Sequence, residues 1–179
     1  GYKNFASRDQ KQLSKEFVKF NERCIIRLLG DMRSYNYVIV PTHDFDQVQY
    51  RIRAIDFDQQ CYEGKFKVYM PQFLKENNLF VDMVHENLQE QSINQYKIEE
   101  RSAISKRILR VHDRVLHLLD CMSENAISTP EKVEQLKADL LVYTKDVKFK
   151  KCTNMGELLG VAFEFVVRNY ENENHFLIH

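Results

Sequence analysis

Two short stretches of this 179-residue chain hold side chains able to do chemistry. The first reads Gly30-Asp31-Met32-Arg33-Ser34-Tyr35-Asn36, and the second Ile55-Asp56-Phe57-Asp58. A carboxylate can accept a proton, and carboxylate and amide oxygens are hard ligands of the kind magnesium takes. Groups this far apart in sequence act together only if the chain between them doubles back.

Other reactive side chains carry less weight. His43, Asp44 and Asp46 sit in a polar stretch that reads as a turn, and Asp58 reads as a solvated loop carboxylate. His112 and His117 lie off the apolar stripe of a helical segment and read as surface residues. His85-Glu86 lacks the second histidine of a zinc-protease helix. The four lysines from Lys145 to Lys151 alternate with Val147 and Phe149, which suggests a solvated edge strand or loop rather than a phosphate-binding patch.

The elements that must position Asp31, Asn36 and Asp56 follow from periodicity. A helix is expected from about Arg8 to Leu29, capped by Ser7 and Gln10, with Leu13, Phe17, Phe20, Cys24 and Leu28 on one face. Gly30 is expected to stop it. Tyr37 to Val40 then reads as a strand ended by Pro41, Thr42 to Gln47 as a turn, and Val48 to Ile55 as an alternating second strand. Strands so close in sequence should pair as a hairpin over residues 37–55, returning Asp56 to the neighbourhood of Asn36.

Beyond a loop from Asp56 to Met70 the pattern is helical. Pro71 opens a short helix through Asn77, and Asn78 caps another running toward Gln91. Ile104, Ile108, Val111, Val115, Leu118 and Met122 predict one unbroken helix from about Glu99 to Ser123. Thr129-Pro130 starts a helix burying Val133, Leu136 and Leu140. Asn154 and Glu157 start the last one, which buries Leu158, Ala162, Phe163 and Val166 and frays after Tyr170.

Composition agrees with a single helical domain. Only 5 Gly and 3 Pro occur, too few for a turn-rich sandwich. Lys plus Arg equals Asp plus Glu at 26 each, which argues against a general nucleic-acid binder. No apolar run of about 18 residues is present, so no membrane partner is expected. Cys24, Cys61, Cys121 and Cys152 are scattered without a Cys-x-x-Cys pair, which suggests reduced thiols and a cytoplasmic setting rather than a disulfide framework or zinc site.

The order helix, Gly30-Asp31-x-x-x-x-Asn36, strand, turn, strand, Ile55-Asp56-Phe57-Asp58, helical remainder resembles the C-terminal catalytic lobe of the protein-kinase-like superfamily. That superfamily includes aminoglycoside and choline kinases, HipA-like kinases and phosphoinositide kinases. The resemblance implies a mostly α fold with a small β-hairpin, and ATP- and magnesium-dependent phosphotransfer in the intact protein. It makes Asp31 the base that accepts the acceptor hydroxyl's proton, Asn36 and Asp56 the metal ligands, and Arg33 a source of positive charge toward the transferred phosphate.

The match departs from the family at Leu29, where many relatives have His before Gly-Asp, and at Asp58, where protein kinases have Gly. No Gly-rich loop or strand Lys precedes Asp31, so the N-terminal nucleotide-binding lobe is expected elsewhere and this chain alone is not expected to be active. The surface left by that lobe, around Tyr2, Phe5, Val48 and Tyr50, is expected to be apolar and to promote self-association. The rival reading is a non-catalytic helical interaction module or a pseudokinase remnant. Against it, all three site positions keep a chemically competent residue.

Overall fold

The computed structural model describes residues 4–176 and is mostly helical, with one two-stranded antiparallel hairpin. Helix α1 (Ser7–Arg27) is followed by β1 (Tyr37–Asp44), β2 (Gln47–Ala54), α2 (Asn78–Asn87), α3 (Glu90–Arg110), α4 (His112–Glu124), α5 (Pro130–Thr144) and α6 (Met155–Phe176). Short 3-10 turns occupy Phe66–Tyr69, Pro71–Phe73, Lys75–Asn77 and Val147–Lys151.

Helix α1 is the axis of the molecule, and it touches α2, α3, β2 and α6. Most of its apolar residues serve the cluster beneath the hairpin, while Leu13 packs with Met83 and Ile26 with Ile104 and Val166. Phe17, Phe20, Cys24 and the following Leu29 join Met32, Tyr37, Ile52 and Val84 beneath the hairpin. Phe17 stacks on Phe80 with ring centroids 5.1 Å apart, and Phe20 meets the Tyr37 ring at the same distance. Leu28 turns the other way, into the larger cluster of Phe66, Tyr69, Leu136, Leu140, Phe149 and Leu158.

Being buried on most sides, α1 must also pair its polar groups. Ser14 Oγ donates to the Met83 carbonyl, Asn21 Oδ1 accepts from the Gln72 amide, and Glu22 is held by Arg101 Nε at 2.9 Å.

Several expectations are corrected. Helix α1 starts at Ser7 with Ala6 as its cap, and Gln10 Nε2 reaches back to the Phe5 carbonyl. Its end is made by Leu28, in the left-handed region at φ 48°, and not by Gly30. Burial of the Leu28 side chain in the larger core offsets the cost of that backbone.

Pro41 does not end β1; it pairs with Tyr50, and the strand runs on to Asp44. The ladder permits this. Ile55 donates to the Asn36 carbonyl, so alternate pairs from Tyr37–Ala54 through Ile39–Ile52 to Pro41–Tyr50 turn their amides outward, where proline loses no ladder bond. The reversal is therefore only Phe45 and Asp46, with Phe45 at φ 50°.

The long helix predicted from Glu99 to Ser123 is two helices, α3 and α4, parted at Val111 with φ −117°. The bend lets both halves pack along α6, which a straight rod would leave. His112 and His117 are exposed on α4, as expected. Helix α6 continues past Tyr170 to Phe176, and of the two forms expected for the Lys145–Lys151 segment it takes the loop, with Val147–Lys151 forming a 3-10 turn. The caps of the last two helices match expectation: Thr129 accepts from the Lys132 amide, and Asn154 Oδ1 from the Glu157 amide. Among the described residues no helix is long and apolar enough to cross a membrane.

Candidate functional site

The hairpin is fastened to α1 through its outer edge. Ile52 turns its amide and carbonyl away from β1, and both find partners on α1. Glu16 Oε1 accepts from the Ile52 amide at 2.9 Å, and Arg23 Nη2 donates to the Ile52 carbonyl at 3.1 Å. Glu16 and Arg23 are themselves ion-paired, with Glu100 of α3 3.4 Å from the other Arg23 nitrogen. An edge strand that would otherwise present unpaired groups is thereby closed and its position along α1 fixed.

Between α1 and β1 the backbone is pinned residue by residue. The Cys61 amide donates to the Leu28 carbonyl, and the Asp31 amide to the Val68 carbonyl at 3.2 Å. Gly30 lies so close to the Gln59 carbonyl that a Cβ there would stand 2.8 Å from its oxygen. Its requirement is space, since among the described residues no glycine has positive φ.

Asp31 itself is left-handed at φ 56°, a conformation that Asp tolerates better than most residues and that recurs at functional loops. Its carbonyl accepts from the Arg33 amide at 2.8 Å and from Asn36 Nδ2 at 2.7 Å. The Met32 carbonyl is held by Asn77 Nδ2, whose Oδ1 accepts from the Tyr37 hydroxyl.

These bonds bring the sequence-predicted residues to the base of the hairpin. Asn36 is buried, and its side-chain donor is spent on Asp31, which leaves the amide oxygen as the remaining acceptor. The Asn36 carbonyl bonds Ile55, and Asp56 follows directly. Asp56 Oδ1 accepts from the Asp58 amide at 3.0 Å, so Asp58 shapes the turn through its backbone while its own side chain is exposed. An amide oxygen and a carboxylate oxygen are each of the hard kind that magnesium takes. Among the described residues no group of three or more His, Cys, Asp and Glu could hold a metal ion.

Arg33 is not free to act alone. Its Nε donates to Asp31 Oδ1 at 2.6 Å and its Nη1 to Glu76 Oε1 at 3.0 Å. The Asp31 hydrogen bond, with the two carboxylate charges, raises the Arg33 pKa above its usual value. Glu76, Asn77 and the Val68 carbonyl complete the site, and no sequence pattern announces them, because all three come from the irregular segment after the hairpin.

Of the expected apolar docking residues, Phe5 is exposed, Val48 and Tyr50 are half-buried, and Tyr2 lies outside the described residues. Ile39 and Leu79 extend the exposed apolar surface.

No family model, curated protein or solved structure matches the chain.

Proposed function

We propose that this chain is the catalytic lobe of an ATP- and magnesium-dependent phosphotransferase whose nucleotide-binding lobe is carried elsewhere. The observation that supports it best is that the Asp31 carbonyl accepts from Asn36 Nδ2 and the Asn36 carbonyl from the Ile55 amide, which ties the backbones of Asp31, Asn36 and the residue before Asp56 at one hairpin base. In this reading Asp31 accepts the proton of the acceptor hydroxyl, while Asn36 and Asp56 hold magnesium. The metal, when bound, would neutralise charge on the transferring phosphoryl group. Arg33 positions Asp31 through its 2.6 Å hydrogen bond, and Glu76 in turn steadies Arg33.

The test is phosphate transfer from ATP by the intact protein. Asp56→Asn is expected to abolish turnover and weaken nucleotide binding through the metal, whereas Asp31→Asn should spare nucleotide binding and cripple turnover. The isolated chain should bind ATP no better than roughly millimolar, near −4 kcal/mol. Intact protein that binds no nucleotide, or variants that behave as wild type, would refute the reading.

A second reading, a non-catalytic interaction module, is favoured by one feature. Phe5, Leu13, Ile39, Tyr50, Leu79 and Met83 line an apolar cavity of about 490 Å³ open on the hairpin side. The same surface would serve as the docking face for a missing lobe or for a second copy. Sedimentation of the isolated chain over a range of concentrations tests for self-association, which a clean monomer would exclude.

A further inference from the structure

A cavity of about 340 Å³ opens where the end of α1 meets β2, α3 and the segment after the hairpin. Five arginines line it, Arg23, Arg27, Arg51, Arg53 and Arg107, and no Asp or Glu does. That imbalance stands out in a chain whose positive and negative charges are equal in number overall.

Arg23 is the one already compensated, by Glu16 and Glu100. Even so, its Nη1 makes no hydrogen bond although the side chain is only 9% exposed, and 3.4 Å away Glu100 Oε1 also goes without one. The other four guanidiniums make no hydrogen bond or ion pair with a carboxylate among the described residues. Arg27 instead lies over the Phe57 ring, 5.9 Å from its centroid, on the cavity wall. Cys24, beside Arg23 and Arg27, adds no negative charge, since burial pushes its thiol up to about 12.

Four like charges around one concavity repel each other, an arrangement that an anion relieves. Guanidinium forks match phosphate oxygens in pairs, which a lysine patch would not.

We infer that this arginine-lined cavity binds a multiply charged phosphate group, independently of any metal held by Asn36 and Asp56. The cavity is too small for a protein segment with its side chains and suits a compact anion such as a diphosphate. Phe57 adjoins Asp56, so an anion bound here would fix the segment that carries the second acid of the candidate site.

The experiment is calorimetric titration of the 179-residue chain with inorganic pyrophosphate in EDTA, which removes magnesium from the question. Binding is expected without metal, weakening as KCl rises from about 50 to about 200 mM because the contacts are ionic. Arg53→Gln/Arg107→Gln is expected to lower affinity at least tenfold. Lys150→Gln/Lys151→Gln, an equal charge change at exposed positions lining none of this cavity, should stay within about twofold, with circular dichroism confirming that both fold. A parallel titration with ADP separates free diphosphate from a nucleotide as the source. No heat with either ligand at millimolar concentration, or equal losses in the two double variants, would overturn the inference. Failure of phosphotransfer in the intact protein would leave this result untouched.

Discussion

Replacing Glu16 by Ala removes one carboxylate and orphans two groups at once. The Ile52 amide loses the acceptor it meets at 2.9 Å, and Arg23 loses its closest counter-ion. Both charged partners are about nine-tenths buried, so solvent cannot replace what is lost. Breaking a buried pair from one side costs about 3–5 kcal/mol. Glu100, 3.4 Å from Arg23, can take over part of the charge but makes no bond to the Ile52 amide, which places the loss near the lower figure.

A domain holds roughly 5–15 kcal/mol in all, so the variant should be visibly weakened. At about 2–4 °C per kcal/mol for a chain of this size, Tm should fall by roughly 6–12 °C. Urea unfolding gives the free energy, with the slope unchanged if the native state is otherwise intact. Hydrogen exchange locates the damage, with hairpin amides losing protection before those of α5 and α6. Glu16→Gln keeps an acceptor for Ile52 and should fall between the two. A loss below about 1 kcal/mol, the range of exposed ion pairs, would refute the idea that this network holds the hairpin in place.

Two further outcomes follow from the site's surroundings. Gly30→Ala should destabilise by about 1–3 kcal/mol, because the new Cβ meets a backbone carbonyl at 2.8 Å and the Tyr69 ring at 3.2 Å; a neutral result in chemical denaturation would show that the loop yields. Asp146 accepts hydrogen bonds from Arg168 and from the Lys148 amide, and both hold its carboxyl below the usual value of 3.8. Its contribution to stability is therefore complete above the unfolded pKa and lost as pH falls through the lower, folded one. Arg168→Gln should flatten the acid limb of a stability-against-pH profile, and an unchanged limb would count against the pairing.

Much of the architecture was legible because burial imposes period. Leu13, Phe17, Phe20 and Cys24 marked α1, and alternation from Val48 marked β2, since each pattern reflects one face meeting a core. What misled were residues whose local preference was overridden by their surroundings. Leu28 takes a backbone that Gly30 seemed to offer, because its side chain fills the larger core. Pro41 stays in its strand because the register turns its nitrogen outward. The Ile104–Met122 stripe is regular across Val111, yet the helix bends there to follow α6, and periodicity along one helix carries no record of its neighbour's path.

The three candidate residues stood out by type and spacing, but the partners that orient them did not. Glu76 and Asn77 come from a run of 3-10 turns with no repeating pattern, and Arg107 meets Arg51 and Arg53 only through the packing of α3 beside the hairpin. Such residues become visible only once the chain is folded.

The bonds at the site also limit how the proposed chemistry can run. Asp31 Oδ1 already accepts from Arg33, so an acceptor hydroxyl approaching Asp31 must address the second carboxylate oxygen, with Arg33 setting the carboxyl plane. Because Glu76 and Asp31 share Arg33, its positive charge is largely spent before any phosphate arrives. Charge toward a transferring phosphoryl group would then have to come from the metal on Asn36 and Asp56 rather than from Arg33. Glu76→Gln separates these roles. If Arg33 acts mainly by orienting Asp31, the change should leave turnover within a few-fold, as removal of an exposed ion-pair partner costs less than about 1 kcal/mol. If Arg33 instead serves the phosphate directly, freeing it from Glu76 should raise turnover, and a clear increase in the intact protein's rate of phosphotransfer would reject the orienting role.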